Sequence, residues 1–359
     1  MRASLALPSL ALLAATTAAC GEEFPPYNRL ESARVLAISA EPSMPAPGET
    51  TTLRAFVYVP QVGAGLDVPG VTYTWSWCPF PSPDNTACIL KSEELVMAAA
   101  QAGVTIVLPP SDLGQEPTAK FAHSISAEVL DGFCNPRNEA GASPLAQAFK
   151  PDCEGGFPVQ IRMVAKFAGS AGTAGDAGAP ADGGASADAG VVVPPDEIES
   201  VRTIRLRFKP EHQPNISPYI EGLSAVVGDE TFPIGLQPVA VLPRDEETVI
   251  NAAVPMTTIE LYNGIRPLDL MPGVVKERLN ISWFVESGGT DDNPTGFNQD
   301  KDGDEAKDLA SFKFTVRNKW TPAKTKDYPK SVARLIVIIR DNRGGVGWRD
   351  GFVNLGPTP

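Results

Sequence analysis

Every second residue from Val71 to Trp77 is apolar (Val71, Tyr73, Trp75, Trp77), with Thr72, Thr74 and Ser76 between them. That alternation gives a strand one face in a core and one in solvent. Leu53, Ala55, Val57 and Val59 repeat it, as do Val159, Ile161, Met163, Ala165 and Phe167 against Gln160, Arg162 and Lys166. Ile204, Leu206 and Phe208 alternate with Thr203, Arg205, Arg207 and Lys209, and Leu279, Ile281, Trp283 and Val285 form a tryptophan-bearing strand. The run 332–340 (VARLIVIIR) is almost continuously apolar and predicts a buried strand, followed by a turn at 341–345 (DNRGG) and a closing strand at 346–355. Helix signals are few. Ser92 with Glu93, Glu94 and a terminating Gly103 predicts one short helix, and 143–149 another turn or two. Thirty-five prolines and 32 glycines punctuate the rest, as many short antiparallel strands require. The expected class is all-β.

The composition changes abruptly at 169–190, a tract of Gly, Ala, Asp, Ser, Thr and one Pro with no large apolar side chain. Such a stretch buries too little to order itself. It reads either as an interdomain linker or, in preference, as an expanded loop (169–195) joining hairpin partners at 159–167 and 203–209, since lengthening a loop costs little free energy. The boundary then falls at 210–218 (PEHQPNISP), too proline-rich to continue a strand. The expected organisation is a leader at 1–19, a tether at 20–30, a first domain at 31–209, a linker at 210–218 and a second domain at 219–359.

Three segments of the second domain carry a resemblance: 281–289 (ISWFVESGG), 320–322 (WTP) and 334–345 (RLIVIIRDNRGG). Together they resemble the immunoglobulin-like and PKD-like β-sandwich repeats of bacterial surface proteins, although the WTP lacks that pattern's spacer residue. In the first half, 35–40, 45–50 (PAPGET) and 71–77 look like opening strands of such a fold, interrupted by insertions at 78–88 and 134–153. The resemblance implies two immunoglobulin-like antiparallel sandwich domains with adhesive, spacing or ligand-binding roles. Strand and turn motifs specify fold and say little of activity.

The first 20 residues add an address. Arg2 precedes an apolar stretch at 5–15, too short to span a bilayer, and Thr17, Ala18 and Ala19 lead to Cys20. This resembles the lipobox of bacterial lipoproteins, with Thr17 where Leu is usual. It implies a cleaved leader, acylation of Cys20 (palmitate among the chains) and a membrane partner reached through that lipid. Gly21 in place of Asp favours the outer membrane. The formal net charge of −13, more negative once Arg2 is lost, disfavours nucleic acid, whose phosphates an acidic surface repels. In a disulfide-permissive compartment Cys78, Cys88, Cys134 and Cys153 admit three pairings. The spacing does not choose among them; Cys78 with Cys88 and Cys134 with Cys153 would each close a short loop.

Candidate chemistry is sparse. Asn298, Asp300, Asp302, Asp304 and Asp308 resemble the start of a calcium loop, in which alternate side chains supply oxygen ligands, but Leu309 stands where an EF-hand needs Glu. Calcium binding and a solvated acidic loop are both open. The two histidines lie far apart: His123 shares parity with Ile125, Ala127 and Val129, as a packed or edge-strand side chain would, and His212 in the proline-rich boundary is expected to be solvated. No HExxH, GxSxG or phosphate-binding glycine motif occurs. Trp75, Trp77 and Trp283 are expected in cores, while Trp320 and Trp348 would stack on sugars if exposed. The expectation is a non-enzymatic envelope module with an unknown protein or glycan ligand. The alternatives are a calcium-dependent glycan-binding accessory protein and, behind it, a carboxylate-based hydrolase.

Overall fold

The computed structural model describes residues 27–82, 87–101, 103, 105–134, 153, 155–167, 197–265, 272–291, 295–297 and 315–357. The leader, Cys20, the tract at 169–195, the helical turn expected at 143–149 and the acidic residues Asn298, Asp300, Asp302, Asp304 and Asp308 lie outside them. The described residues are all-β and form two antiparallel sandwiches.

In chain order the first contains β1 (Arg34–Glu41), β2 (Thr50–Val59), β3 (Gly63–Gly65), β4 (Val71–Cys78), β5 (Phe80–Pro81), β6 (Cys88–Leu90), β7 (Asp112–Gly114), β8 (Thr118–Ala122), β9 (Phe157–Phe167) and β10 (Glu197–Leu206). One sheet runs β1-β2-β3, with β8 also on β2; the facing sheet runs β10-β9-β4-β7. The strands on either side of the 168–196 tract are thus neighbours, paired from Glu197 opposite Lys166 to Leu206 opposite Phe157. Trp75, Trp77, Phe121, Ile161 and Met163 fill the space between the sheets. Helix Ser92–Gln101 lies where the capping signal predicts. A second helix, Ala127–Cys134, replaces the period-two pattern expected around His123, because the Ser126 hydroxyl accepts the Val129 amide and caps it. Disulfides join Cys78 to Cys88 and Cys134 to Cys153, with Cα atoms 5.6 and 5.9 Å apart.

The second sandwich contains β11 (Gly222–Val227), β12 (Glu230–Ile234), β13 (Val241–Leu242), β14 (Thr248–Ala253), β15 (Leu261–Ile265), β16 (Pro272–Lys276), β17 (Leu279–Val285), β18 (Gly289–Thr290), β19 (Thr295–Phe297), β20 (Thr315–Thr321), β21 (Val332–Asp341) and β22 (Val346–Leu355). Its sheets run β12-β11-β14-β20-β18 and β13-β22-β21-β17-β19. This is an immunoglobulin-like order, with β11, β14, β20 and β18 side by side in one sheet, extended by β12, and the tryptophan strand, the β21–β22 hairpin and a short parallel edge strand in the other. Trp283 on β17 occupies the place that Trp75 holds on β4. Trp320 is also fully buried, its indole N–H donating to the Ser287 carbonyl at 2.6 Å, so the sugar-stacking role held open for it is excluded by burial.

Replacing Trp75 with Ala should destabilise the protein by about 3–5 kcal/mol, whereas Thr72→Ala on the opposite, exposed face of β4 should cost less than about 0.5 kcal/mol. Urea unfolding checks both, and equal effects would contradict the assigned faces.

Candidate functional site: the seam between the sandwiches

The alternation of β2 has a second apolar face. Leu53, Ala55 and Val57 point into the first core, but Phe56 and Tyr58 are buried as well, at 4% and 3% exposure. Strand β21 does the same in the other sandwich: Leu335, Val337 and Ile339 enter its own core while Ile336 and Ile338 face outward and are fully buried. The two outer faces pack on each other. Leu36, Ala37, Phe56 and Tyr58 from the first sandwich meet Phe284, Ile336, Ile338 and Val346 from the second in one cluster. Trp348 is seated at this seam, stacked on Phe56 with ring centroids 4.9 Å apart, so it too is engaged by protein. Strands with both faces covered read as unbroken apolar runs, which explains VARLIVIIR.

Polar contacts frame this patch. The Tyr58 hydroxyl donates to Glu286 across the seam at 3.1 Å, and the Arg334 amide donates to the same carboxylate at 3.0 Å. Burial and the Glu286 charge raise the Tyr58 phenol far above its ordinary range. Ahead of β1 the chain docks on the second sandwich: the Leu30 amide donates to the Val285 carbonyl and the Val285 amide to that of Asn28, at 2.8 and 2.9 Å. Residues 27–30, the end of the expected tether, are held there.

The segment 210–218 is clamped in the same way. Arg343, buried on the β21–β22 turn, donates to the carbonyls of Gln213 and Pro214, both at 2.8 Å, and pairs with Glu260 at 3.1 Å. Gly347 is required beneath it, because a Cβ there would collide with the Pro218 carbonyl. His212 is therefore buried, at 6% exposure. Its Nδ1 accepts the Phe208 amide at 3.3 Å and its ring lies edge-on to Phe208, which corrects the expectation of a solvated side chain. His123 is buried at 1% and its Nε2 donates to the Arg207 carbonyl at 2.9 Å, a packed histidine. Burial lowers both imidazole pKa values. Glu277, fully buried and accepting the Glu260 amide at 3.4 Å, is pushed up to about 9 by desolvation and, next, by the Asp341 charge.

At one end of the seam is a cavity of about 360 Å³, between β1, β10 and the β21–β22 turn. Two arginines line it. Arg340 donates to the Leu36 carbonyl at 2.7 Å and to the Ser282 hydroxyl at 3.1 Å; Arg202 donates through Nη1 to the Ile38 carbonyl. Both cap backbone acceptors on the free edge of β1, a position open to pairing with another strand. The Nε and Nη2 of Arg202 are shielded and have no hydrogen-bond partner. Burial brings this guanidinium down to about 10, so it remains cationic at neutral pH. Among the described residues no three His, Cys, Asp or Glu side chains are grouped to hold a metal ion, and no helix is long and apolar enough to cross a membrane.

No protein-family model matches the chain, and no curated protein sequence is similar to it. Among solved structures, a bacterial ice-binding adhesin overlaps 92% of the chain over 67% of its own length, at 9% identity and a TM-score of 0.20. The α-2-macroglobulin of E. coli overlaps 93% at 9% identity and a TM-score of 0.19. The methylamine-reacted Salmonella α-2-macroglobulin overlaps 93% at 12% identity and a TM-score of 0.22. The chain spans 17% of each macroglobulin. Overlaps this loose carry no argument, and the sandwich assignment rests on strand order.

Two opposite pH effects follow from the buried groups. Unfolded His123 takes up a proton below about pH 6.5 that the folded state resists, so its contribution is present above that pH and lost as pH falls. The stability advantage of wild type over His123→Gln should shrink between pH 7.5 and 5.5. Glu277 holds its proton in the folded state up to about pH 9 but releases it near 4.5 when unfolded, so wild type loses stability as pH rises through that window. Glu277→Gln should gain on wild type from pH 5 to 9. Melting temperatures across these ranges check both, and pH-independent differences would contradict them.

Proposed function

We propose that the chain is a lipid-anchored protein of the bacterial cell envelope, on the outer membrane, acting as a non-enzymatic binding or spacing module of the surface-protein type. The observation that supports the module reading is the seam, and the lipid anchor rests on the Cys20 pattern alone. Packing one sandwich broadside on the other through Phe56, Ile336, Ile338 and Trp348 would make a single rigid body, a property suited to holding a binding surface at a set place.

The docked start of the chain supports the same reading. Six residues separate Cys20 from Tyr27, so an acyl group on Cys20 would keep the rigid body within about 25 Å of the bilayer at the fully extended limit. Two or more acyl chains anchor effectively permanently. The body would then stand with the Asn28–Val285 contact turned towards the membrane.

Cells labelled with a palmitate analogue test the anchor. The wild-type protein should incorporate label and fractionate with membranes, and Cys20→Ser should do neither. Labelling or membrane retention of the serine variant would overturn the lipid-anchored reading.

A further inference from the structure

The guanidinium of Arg202 is unevenly satisfied. Nη1 is committed to the Ile38 carbonyl, which fixes the plane of the group, while Nε and Nη2, the two donors along its other side, are shielded and unpaired. That pair of parallel N–H groups is the fork that binds a carboxylate through two hydrogen bonds at once. Leaving a buried cation without its acceptors is costly, and proteins ordinarily supply a partner.

The candidates within the protein are otherwise engaged. Asp341 is the nearest carboxylate in charge terms, but its oxygens accept the amides of Arg343 and Gly345, at 2.8 and 2.6 Å, and the Asn215 side chain at 3.1 Å. It holds the turn and the 210–218 segment in place rather than the fork. Arg202 lines the 360 Å³ cavity, whose other walls include Val35, Leu36, Val201 and Val346, while the fork itself is shielded from it. Arg202 and Arg340 against Asp341 leave one net positive charge there, which matches a monoanion. The volume exceeds that of a simple inorganic ion and lies in the range of small-molecule sites. Gly344 covers the fork from above, a Cβ at that position falling 3.8 Å from Nη2, and its φ of +99° marks it as a turn residue.

We propose that this cavity is a binding site for a small organic carboxylate, its carboxylate paired side-on with Nε and Nη2 of Arg202 and its apolar part against Val201 and Val346. Binding requires one movement, displacement of the fork from beneath the Gly344 turn towards the cavity. The proposal supplies a ligand class for the binding role above. Its failure would leave the lipid anchor untouched, since palmitate labelling does not depend on the cavity.

Equilibrium dialysis of the mature full-length protein with radiolabelled benzoate tests it, with inorganic phosphate as competitor and chloride to hold ionic strength constant. One saturable site is expected, half-filled at about 1 mM as befits a fragment-sized ligand. Phosphate, lacking an apolar body, should compete about tenfold more weakly or worse. Arg202→Lys keeps the charge but not the fork and should weaken benzoate by about tenfold or more, with its fold checked by thermal unfolding. Asp341→Asn should bind at least as well as wild type. No saturation by wild-type protein, phosphate competing as well as benzoate, or undiminished binding by Arg202→Lys would each overturn the proposal. So would loss of binding in a folded Asp341→Asn protein, which would make the carboxylate and not the fork the determinant.

Discussion

The outer face of β21 is the constraint on which the rest depends. A strand that buries Leu335, Val337 and Ile339 in its own sandwich ordinarily shows polar residues on the other side, and here that side carries Ile336 and Ile338. Their apolar surface gains only when removed from water, and the outer face of β1 and β2, with Leu30, covers it. From that contact follow the docking of 27–30 on β17, the short path of 210–218 across the β21–β22 turn, and the cavity where the packed surfaces part.

The seam is organised like a protein interface formed within one chain. Aromatic and aliphatic side chains occupy its centre and charged groups its rim, where Glu286, Arg340 and Arg343 find partners across the boundary. Arginine suits the rim because its stem packs on apolar surface while its planar head satisfies several carbonyls. Arg343 does this for the crossing segment and Arg340 for the edge of β1. Arg202 does it with one of its donors only.

The strands were legible in the sequence because their pattern is local: the alternation around Trp75 and Trp283 is complete within each strand. The run at 332–340 announced two buried faces without naming what covers the second. That information resides in Phe56 and Tyr58, nearly three hundred residues away, where they interrupt the expected polar face of β2. The helix at 127–134 had a signal in Ser126 that the parity of the neighbouring apolar residues obscured. The burial of His212 had none, since proline-rich segments are commonly exposed and this one is held down by distant residues such as Arg343, Asp341 and Ser43. The cavity was out of reach for a similar reason. It is assembled from 35–38, 200–203 and 340–346, none of which carries a motif of its own.

If the seam makes one body of two sandwiches, they should unfold together. Differential scanning calorimetry of the mature protein, wild type and Ile338→Asp, measures this directly, since the substitution places an unpaired charge in the apolar contact. A single transition is expected for wild type, with calorimetric and van't Hoff enthalpies equal, and two separated transitions for the variant. Two transitions already present in wild type and unchanged in the variant would show that the sandwiches fold independently and that the seam holds nothing together.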